Sequence, residues 1–176
     1  MNLDKHIRKI PDWPQKGVLF YDVTTVFENK EIFQEAINEL VKPFENINID
    51  KVVGIDARGF VLAGVVAYKL KAGLSLVRKK GKLPYKTIQK TYTLEYATET
   101  IEMHEDTIKK GEKVLIVDDL VATGGTLMAA IELVESLGGE VVGISCLIDL
   151  PFLGGSKKIE KYKKNFLIKY DNEKHF

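Results

Sequence analysis

Two adjacent carboxylates, Asp118 and Asp119, stand four residues before Thr123-Gly124-Gly125-Thr126 in this 176-residue chain. Free N–H groups in the first turn of a helix attract an anion, and glycines let a phosphate approach the backbone closely. The two threonine hydroxyls add donors of their own, whereas the carboxylates suit vicinal hydroxyls better than phosphate. Residue types and spacing together fit a ligand with a phosphate at one end and a diol nearby. Two commoner phosphate loops are absent: there is no G-x-x-x-x-G-K-[ST], and no G-x-G-x-x-G follows a strand.

These groups need elements to hold them. The apolar run Val114 to Val117 predicts a buried parallel strand that the two acids close, and Leu127 to Leu137 predicts the following helix, ended by Gly138-Gly139. Upstream, Leu3 to Ile10 reads as a short helix, and Pro11 and Pro14 break it. Phe33, Ile37, Leu40, Val41 and Phe44 share one face of a helix starting at Lys30. Lys51 to Ile55 is a strand with Asp56 to Gly59 as its exit loop, and Phe60 to Leu70 is a helix apolar on nearly all sides. Leu74 to Val77 is a further strand, before a polar, basic stretch from Arg78 to Thr91. Alternation around Ala97 predicts paired strands over Tyr92–Tyr96 and Thr98–Met103. Glu140 to Leu150 and Phe166 to Tyr170 complete the strands, with a helical scrap at Ile159 to Tyr162.

Strands alternating with helices imply parallel βαβ units and an α/β sheet covered on both faces. Ligands in such sheets gather at the carboxyl ends of the strands. That rule brings Asp56–Gly59, Arg78–Lys82, Asp118–Thr126 and Asp149–Leu150 to one rim.

With 45% hydrophobic and 29% charged residues, the chain has an ordinary globular composition, expected to form a single domain over residues 1–176. A formal net charge of +1 argues against an obligate nucleic-acid binder. One cysteine, Cys146, excludes an intramolecular disulfide and a cysteine zinc site; its strand-like surroundings predict a buried, inert thiol. No apolar run reaches membrane-span length and no signal-peptide core is present, so a cytoplasmic protein is expected, with neither nucleic acid nor membrane as partner.

The fourteen residues Lys113 to Thr126 closely resemble the 5-phosphoribosyl-1-pyrophosphate (PRPP) motif of type I phosphoribosyltransferases. Gly17-Val-Leu-Phe-Tyr-Asp22, Asp56-Ala-Arg-Gly-Phe60, Arg78-Lys-Lys-Gly-Lys-Leu-Pro84 and Tyr92-Thr-Leu-Glu-Tyr96 resemble the corresponding parts of the adenine phosphoribosyltransferase family, in family order. The resemblance covers about Ile10 to Leu150. It departs at Tyr21, where many members carry a basic residue.

The resemblance implies the type I phosphoribosyltransferase fold: a mostly parallel twisted sheet flanked by helices. It implies a small hood, formed by the N- and C-terminal segments and including about residues 1–30, and a flexible active-site loop of about residues 79–103. The implied reaction joins adenine to PRPP, giving AMP and pyrophosphate, with Mg2+ carried by PRPP rather than by protein side chains. Breaking the C1–O bond creates a cationic sugar and a highly charged leaving group, so acceptors are needed under the sugar and cations around the diphosphate. Asp118 and Asp119 suit the ribose hydroxyls, and Ala122, Thr123, Gly124, Gly125 and Thr126 the 5-phosphate. Asp56, Ala57, Arg58, Arg78, Lys79 and Lys82 suit the pyrophosphate, through an Asp56–Ala57 peptide that the family makes cis. The Arg78–Lys82 run would otherwise be a solvated face.

Glu95 is expected on a mobile loop, handling the purine proton; the bland reading is an exposed strand residue. Tyr96 is open between bonding the sugar pyrophosphate and packing. Adenine is expected against Phe20 and Leu150, with Arg58 nearby and the Leu19 backbone reading its edge; core packing competes for Phe20 and Leu150. Ile148-Asp-Leu-Pro151 lacks the hood lysine usual in 6-oxopurine enzymes, which favours adenine over hypoxanthine or xanthine. A PRPP-sensing regulator is the rival from another class, and the expectation is that no helix-turn-helix precedes the N-terminal segment. The family is typically homodimeric.

Overall fold

The computed structural model describes residues 2–93 and 98–172. After a 3-10 turn at Leu3–His6 come strands β1 (Arg8–Pro11) and β2 (Leu19–Asp22), then helices α1 (Thr24–Phe27) and α2 (Lys30–Val41). Next are β3 (Lys51–Ile55), α3 (Arg58–Leu70), β4 (Gly73–Lys79), β5 (Thr87–Thr93) and β6 (Thr98–His104). The chain continues through β7 (Lys113–Val121), α4 (Gly125–Ser136), β8 (Glu140–Asp149), α5 (Gly155–Lys158) and β9 (Lys164–Lys169).

Seven strands form the central sheet in the order β5-β6-β4-β3-β7-β8-β9. Pairing is parallel from β4 through β3, β7 and β8 to β9, and antiparallel where β6 joins β4 and β5. A strand buried on both faces must be apolar at every position, and β3 and β7 show why. Val52, Leu115 and Val117 face a core shared with α2 and α3, while Val53, Ile55, Val114 and Ile116 face one shared with α4. The alternation is the two-residue period of a strand applied to two cores.

The helices begin and end by local chemistry. The Asn29 side chain accepts from the Ile32 N–H at 3.0 Å and caps α2. Lys71, in the left-handed region at φ 56°, ends α3. Ser145 in β8 donates to the Leu40 carbonyl at 2.9 Å, fastening the end of α2 to the sheet.

The expected helix over Leu3–Ile10 is a single 3-10 turn followed by β1, which pairs antiparallel with β2 as a separate two-stranded sheet. Pro11 tolerates this because it stands at a strand end on a small sheet. The Arg78–Thr91 stretch is only partly irregular, since β5 starts at Thr87. Its inner-facing residues are Ile88, Lys90 and Tyr92, and a lysine in that row hid the alternation; Lys90 makes an ion pair with Glu132 of α4. The helical scrap is Gly155–Lys158 rather than Ile159–Tyr162, and the final strand is Lys164–Lys169. Among the described residues no helix is long and apolar enough to cross a membrane.

Candidate active site

The carboxyl ends of β3 and β7 and the N-termini of α3 and α4 meet at one rim. There a cavity of about 180 Å³ is lined by Asp56, Ala57, Arg58, Asp118, Asp119 and the 122–126 loop. β7 does not stop at the acids but runs on to Val121, so both carboxylates are strand residues facing a cavity. Asp119, 7% exposed, accepts from Arg58 Nε at 2.5 Å; its own N–H donates to Asp118 Oδ1 at 2.9 Å. Asp118 keeps partial solvent access, but protein surrounds its carboxyl. Burial, with the adjacent Asp119 carboxylate adding to it, pushes Asp118 well above the ordinary carboxylate range. Gly59 is required beside it, since a Cβ there would lie 2.7 Å from Asp118 Oδ1.

The loop between β7 and α4 has the form of an anion cradle. Gly124 opens α4 at φ 77°, and no side chain caps the helix, which leaves first-turn N–H groups open to a ligand. One neighbour went unnoticed in the sequence. Gly155 N donates to the Ala122 carbonyl at 3.0 Å, and a Cβ on Gly155 would come within 2.3 Å of that oxygen. A Cβ on Gly124 would in turn lie 2.8 Å from Gly155 Cα. The two glycines let the β8–α5 connection press directly on the cradle, so Gly155→Ala must push it open. Expected is an about tenfold weaker affinity for a sugar phosphate, because small misplacements of binding groups cost that much or more; calorimetric titration of the variant checks it.

A second cavity, of about 300 Å³, adjoins the first and shares Arg58, Leu120 and Ala122 with it. Its remaining walls include Leu19, Phe20 and Leu150, which the sequence singled out, and Val18, Phe152 and Leu153, which it did not. Phe20 is held by Trp13, whose ring lies 4.3 Å away edge-on, and Arg58 crosses its face at 5.2 Å. Pro11 stands opposite Leu19 in the β1–β2 pair and has no N–H to offer its carbonyl. Tyr21 turns the other way, 3% exposed and stacked on Tyr170 at 4.4 Å, so the position where the resemblance expects a basic residue is packed into the core.

The structure divides the remaining candidates. The Asp56–Ala57 peptide is cis, as the resemblance implied. Arg78 joins this loop by donating from Nε to Asp56 at 3.0 Å. Lys79 and Lys82 are exposed beyond the cavity, with Lys79 Nζ 3.6 Å from Glu99. Glu95 and Tyr96 lie outside the described residues. The β5–β6 stem that leads to them is tied to the cradle: the Tyr92 hydroxyl is 2.7 Å from Thr126 Oγ1 and donates to Glu99 at 3.0 Å. Burial, with the Glu99 carboxylate adding to it, pushes Tyr92 up to about 12. A larger groove, about 790 Å³, runs between the N-terminal 3-10 turn, α2 and β9 and contains none of these groups.

A polar chamber with paired acids and a glycine cradle, joined to an apolar slot, has the shape and polarity to fit a sugar phosphate beside a flat base. Residues 22–175 match the phosphoribosyl transferase domain, and the chain belongs to that family. An adenine phosphoribosyltransferase of Brachyspira hyodysenteriae is 55% identical over 170 residues, covering 97% of this chain and all of that one. The adenine phosphoribosyltransferase structure from Rhodothermus marinus superposes with a TM-score of 0.91 at 48% identity, covering 96% of each chain. The Saccharomyces cerevisiae enzyme has a TM-score of 0.89 at 35% identity, covering 94% of this chain and 96% of that one. It was solved with adenine and an imino-altritol bisphosphate.

Proposed function

We propose that this chain transfers the 5-phosphoribosyl group from PRPP to adenine, giving AMP and pyrophosphate. The observation that carries the reading is the seam between the two cavities, where Arg58, Leu120 and Ala122 line both. A base in the apolar slot and a sugar phosphate in the polar chamber would meet there, at the bond that forms. The close relatives named above support adenine as the base.

In this reading the 5-phosphate sits on the Ala122–Thr126 cradle and the ribose hydroxyls donate to Asp118 and Asp119. Asp56, Ala57 and Arg58 receive the pyrophosphate with Arg78, while Lys79 and Lys82 add positive potential from the rim. Adenine stacks between Phe20 and Leu150, and the Leu19 backbone reads its edge. The C1–O bond breaks with its electron pair leaving on pyrophosphate; N9 of adenine bonds to C1, and Glu95 takes the N9 proton. The acids beneath the sugar stabilise positive charge as it develops at C1.

Mg2+ enters with PRPP in this scheme. Asp119 is already paired with Arg58 and Asp56 with Arg78, and among the described residues no three acidic, histidine or cysteine side chains group as a metal site. That donor set suits a metal held chiefly by substrate oxygens and water.

Steady-state assays with PRPP and a panel of bases test the reading. Turnover with adenine is expected; turnover only with hypoxanthine or xanthine would overturn the specificity, and none with any base would favour a PRPP sensor.

A homodimer belongs to the same reading. Val61, Val65 and Tyr68 form an exposed apolar row along α3, with Tyr68 86% exposed, on the helix whose first turn enters the site. Surface of this kind favours self-association. Sedimentation at twice the chain mass is expected, and a monomer at micromolar concentration would refute it.

A further inference from the structure

We infer that Glu102 is the positioning residue for the pyrophosphate end of the site. Glu102 lies within β6, 2% exposed, and its carboxylate meets the site residue Lys82 only at the backbone. Its two oxygens are fully engaged. Oε1 accepts from the N–H of Lys82 at 3.0 Å and of Leu83 at 2.9 Å; Oε2 accepts from Thr87 Oγ1 at 3.2 Å and Gln89 Nε2 at 3.3 Å. The turn after β4 is therefore hung on one buried carboxylate.

The other side of that turn is held by the site itself. Arg78, the cross-strand partner of Glu102, donates from Nη1 to the Lys82 carbonyl at 3.3 Å while its Nε bonds Asp56. Glu102 thus fixes the N–H groups of the turn, Arg78 fixes its carbonyl, and Arg78 in turn is fixed to the cis Asp56–Ala57 loop. A chain of contacts runs from the middle of β6 to the cavity wall.

Charge explains why an acid stands there. Arg78, Lys79, Lys80 and Lys82 put four cations within five residues, and like charges at that spacing repel. Burial alone would raise the Glu102 carboxyl, but the backbone donors of residues 81–83 and the Thr87 hydroxyl outweigh it and hold the group below its ordinary value. Glu102 is thereby a permanent buried counter-charge that folds the basic turn without meeting the substrate.

This inference rests on the pyrophosphate assignment of Arg78, so the test separates the two. Glu102→Gln is nearly isosteric but removes the charge and leaves one acceptor oxygen in place of two, with an NH2 group that Thr87 or Gln89 must turn to accept. Expected are an about tenfold higher inhibition constant for pyrophosphate and a similar rise in the KM for PRPP, as for loss of a hydrogen bond to a charged group. The affinity for AMP, which lacks a pyrophosphate, and the KM for adenine stay within about twofold. A parallel loss of AMP affinity would mean a general structural role and overturn the inference. If Arg78→Ala weakens pyrophosphate but E102Q does not, positioning by Glu102 is wrong and the assignment stands; if neither does, both fall. Should E102Q not fold, Glu102→Asp keeps the charge but withdraws it by one methylene, and the same split at smaller size is required.

Discussion

Asp118→Asn binds PRPP about 10- to 100-fold more weakly than the parent, the range set by losing a charged hydrogen-bond acceptor, while free adenine binds as before. Turnover falls too, by about 100-fold, because the acid also faces the charge developing at C1. The same variant is expected to gain heat stability relative to the parent as the pH rises. Burial raises the folded-state pKa of Asp118 above its unfolded value. The stabilising contribution of such a group is complete below the unfolded pKa and is lost as pH rises through the folded one. The parent loses that contribution as the pH rises, whereas asparagine never ionises. Thermal unfolding of the ligand-free proteins between pH 4 and 8 reads this: the two curves converge toward acid and separate as the pH rises. A variant that retains PRPP affinity sinks the assignment of this acid to the ribose, and stability curves that stay parallel across this range sink the account of its burial.

Glu95→Ala lowers kcat on the order of 10²- to 10⁴-fold, the range for removing a group that moves a proton in the transition state. The KM for PRPP stays within about threefold, because the 5-phosphate and ribose contacts are elsewhere. The geometry around the described stem supports this split. β5 and β6 remain paired to Thr93↔Thr98, and Tyr92 on that stem bonds Thr126 in the cradle. The described stem therefore ends tied to the cradle through Tyr92. Single-turnover kinetics with saturating PRPP separate the chemical step from binding. An unchanged rate of AMP formation would remove Glu95 from the mechanism.

The parts of this molecule legible in the sequence are those governed by one local rule. β3, β7 and β8 are buried on both faces and read as apolar runs; α2, α3 and α4 show helical faces and recognisable ends. The acids and the Thr-Gly-Gly-Thr loop stood out because they break such a run, as functional residues do. What escaped depends on distant partners. Gly155 matters only because it meets Ala122 and Gly124, and Phe152 and Leu153 only because their connection folds back over Phe20's slot. Glu102 looked like the polar member of an alternating strand, and nothing local marks it as buried. β1 and β5 are held by pairing and by contacts with a neighbour more than by their own pattern, so the sequence reads as a helix over β1 and shows strand alternation only at the end of β5, from Tyr92.

The register of β7 against β8 places Cys146 directly beside Asp118, sealed in the core at 0% exposure. Burial and the Asp118 charge both push its thiol well above the ordinary range, which suppresses the thiolate needed for reaction. This is the chain's single cysteine. A cysteine introduced on the exposed surface would therefore be the one thiol that a dye or spin label finds. The native protein needs no background substitutions before such a probe is attached, and its movements can be followed from one chosen position at a time.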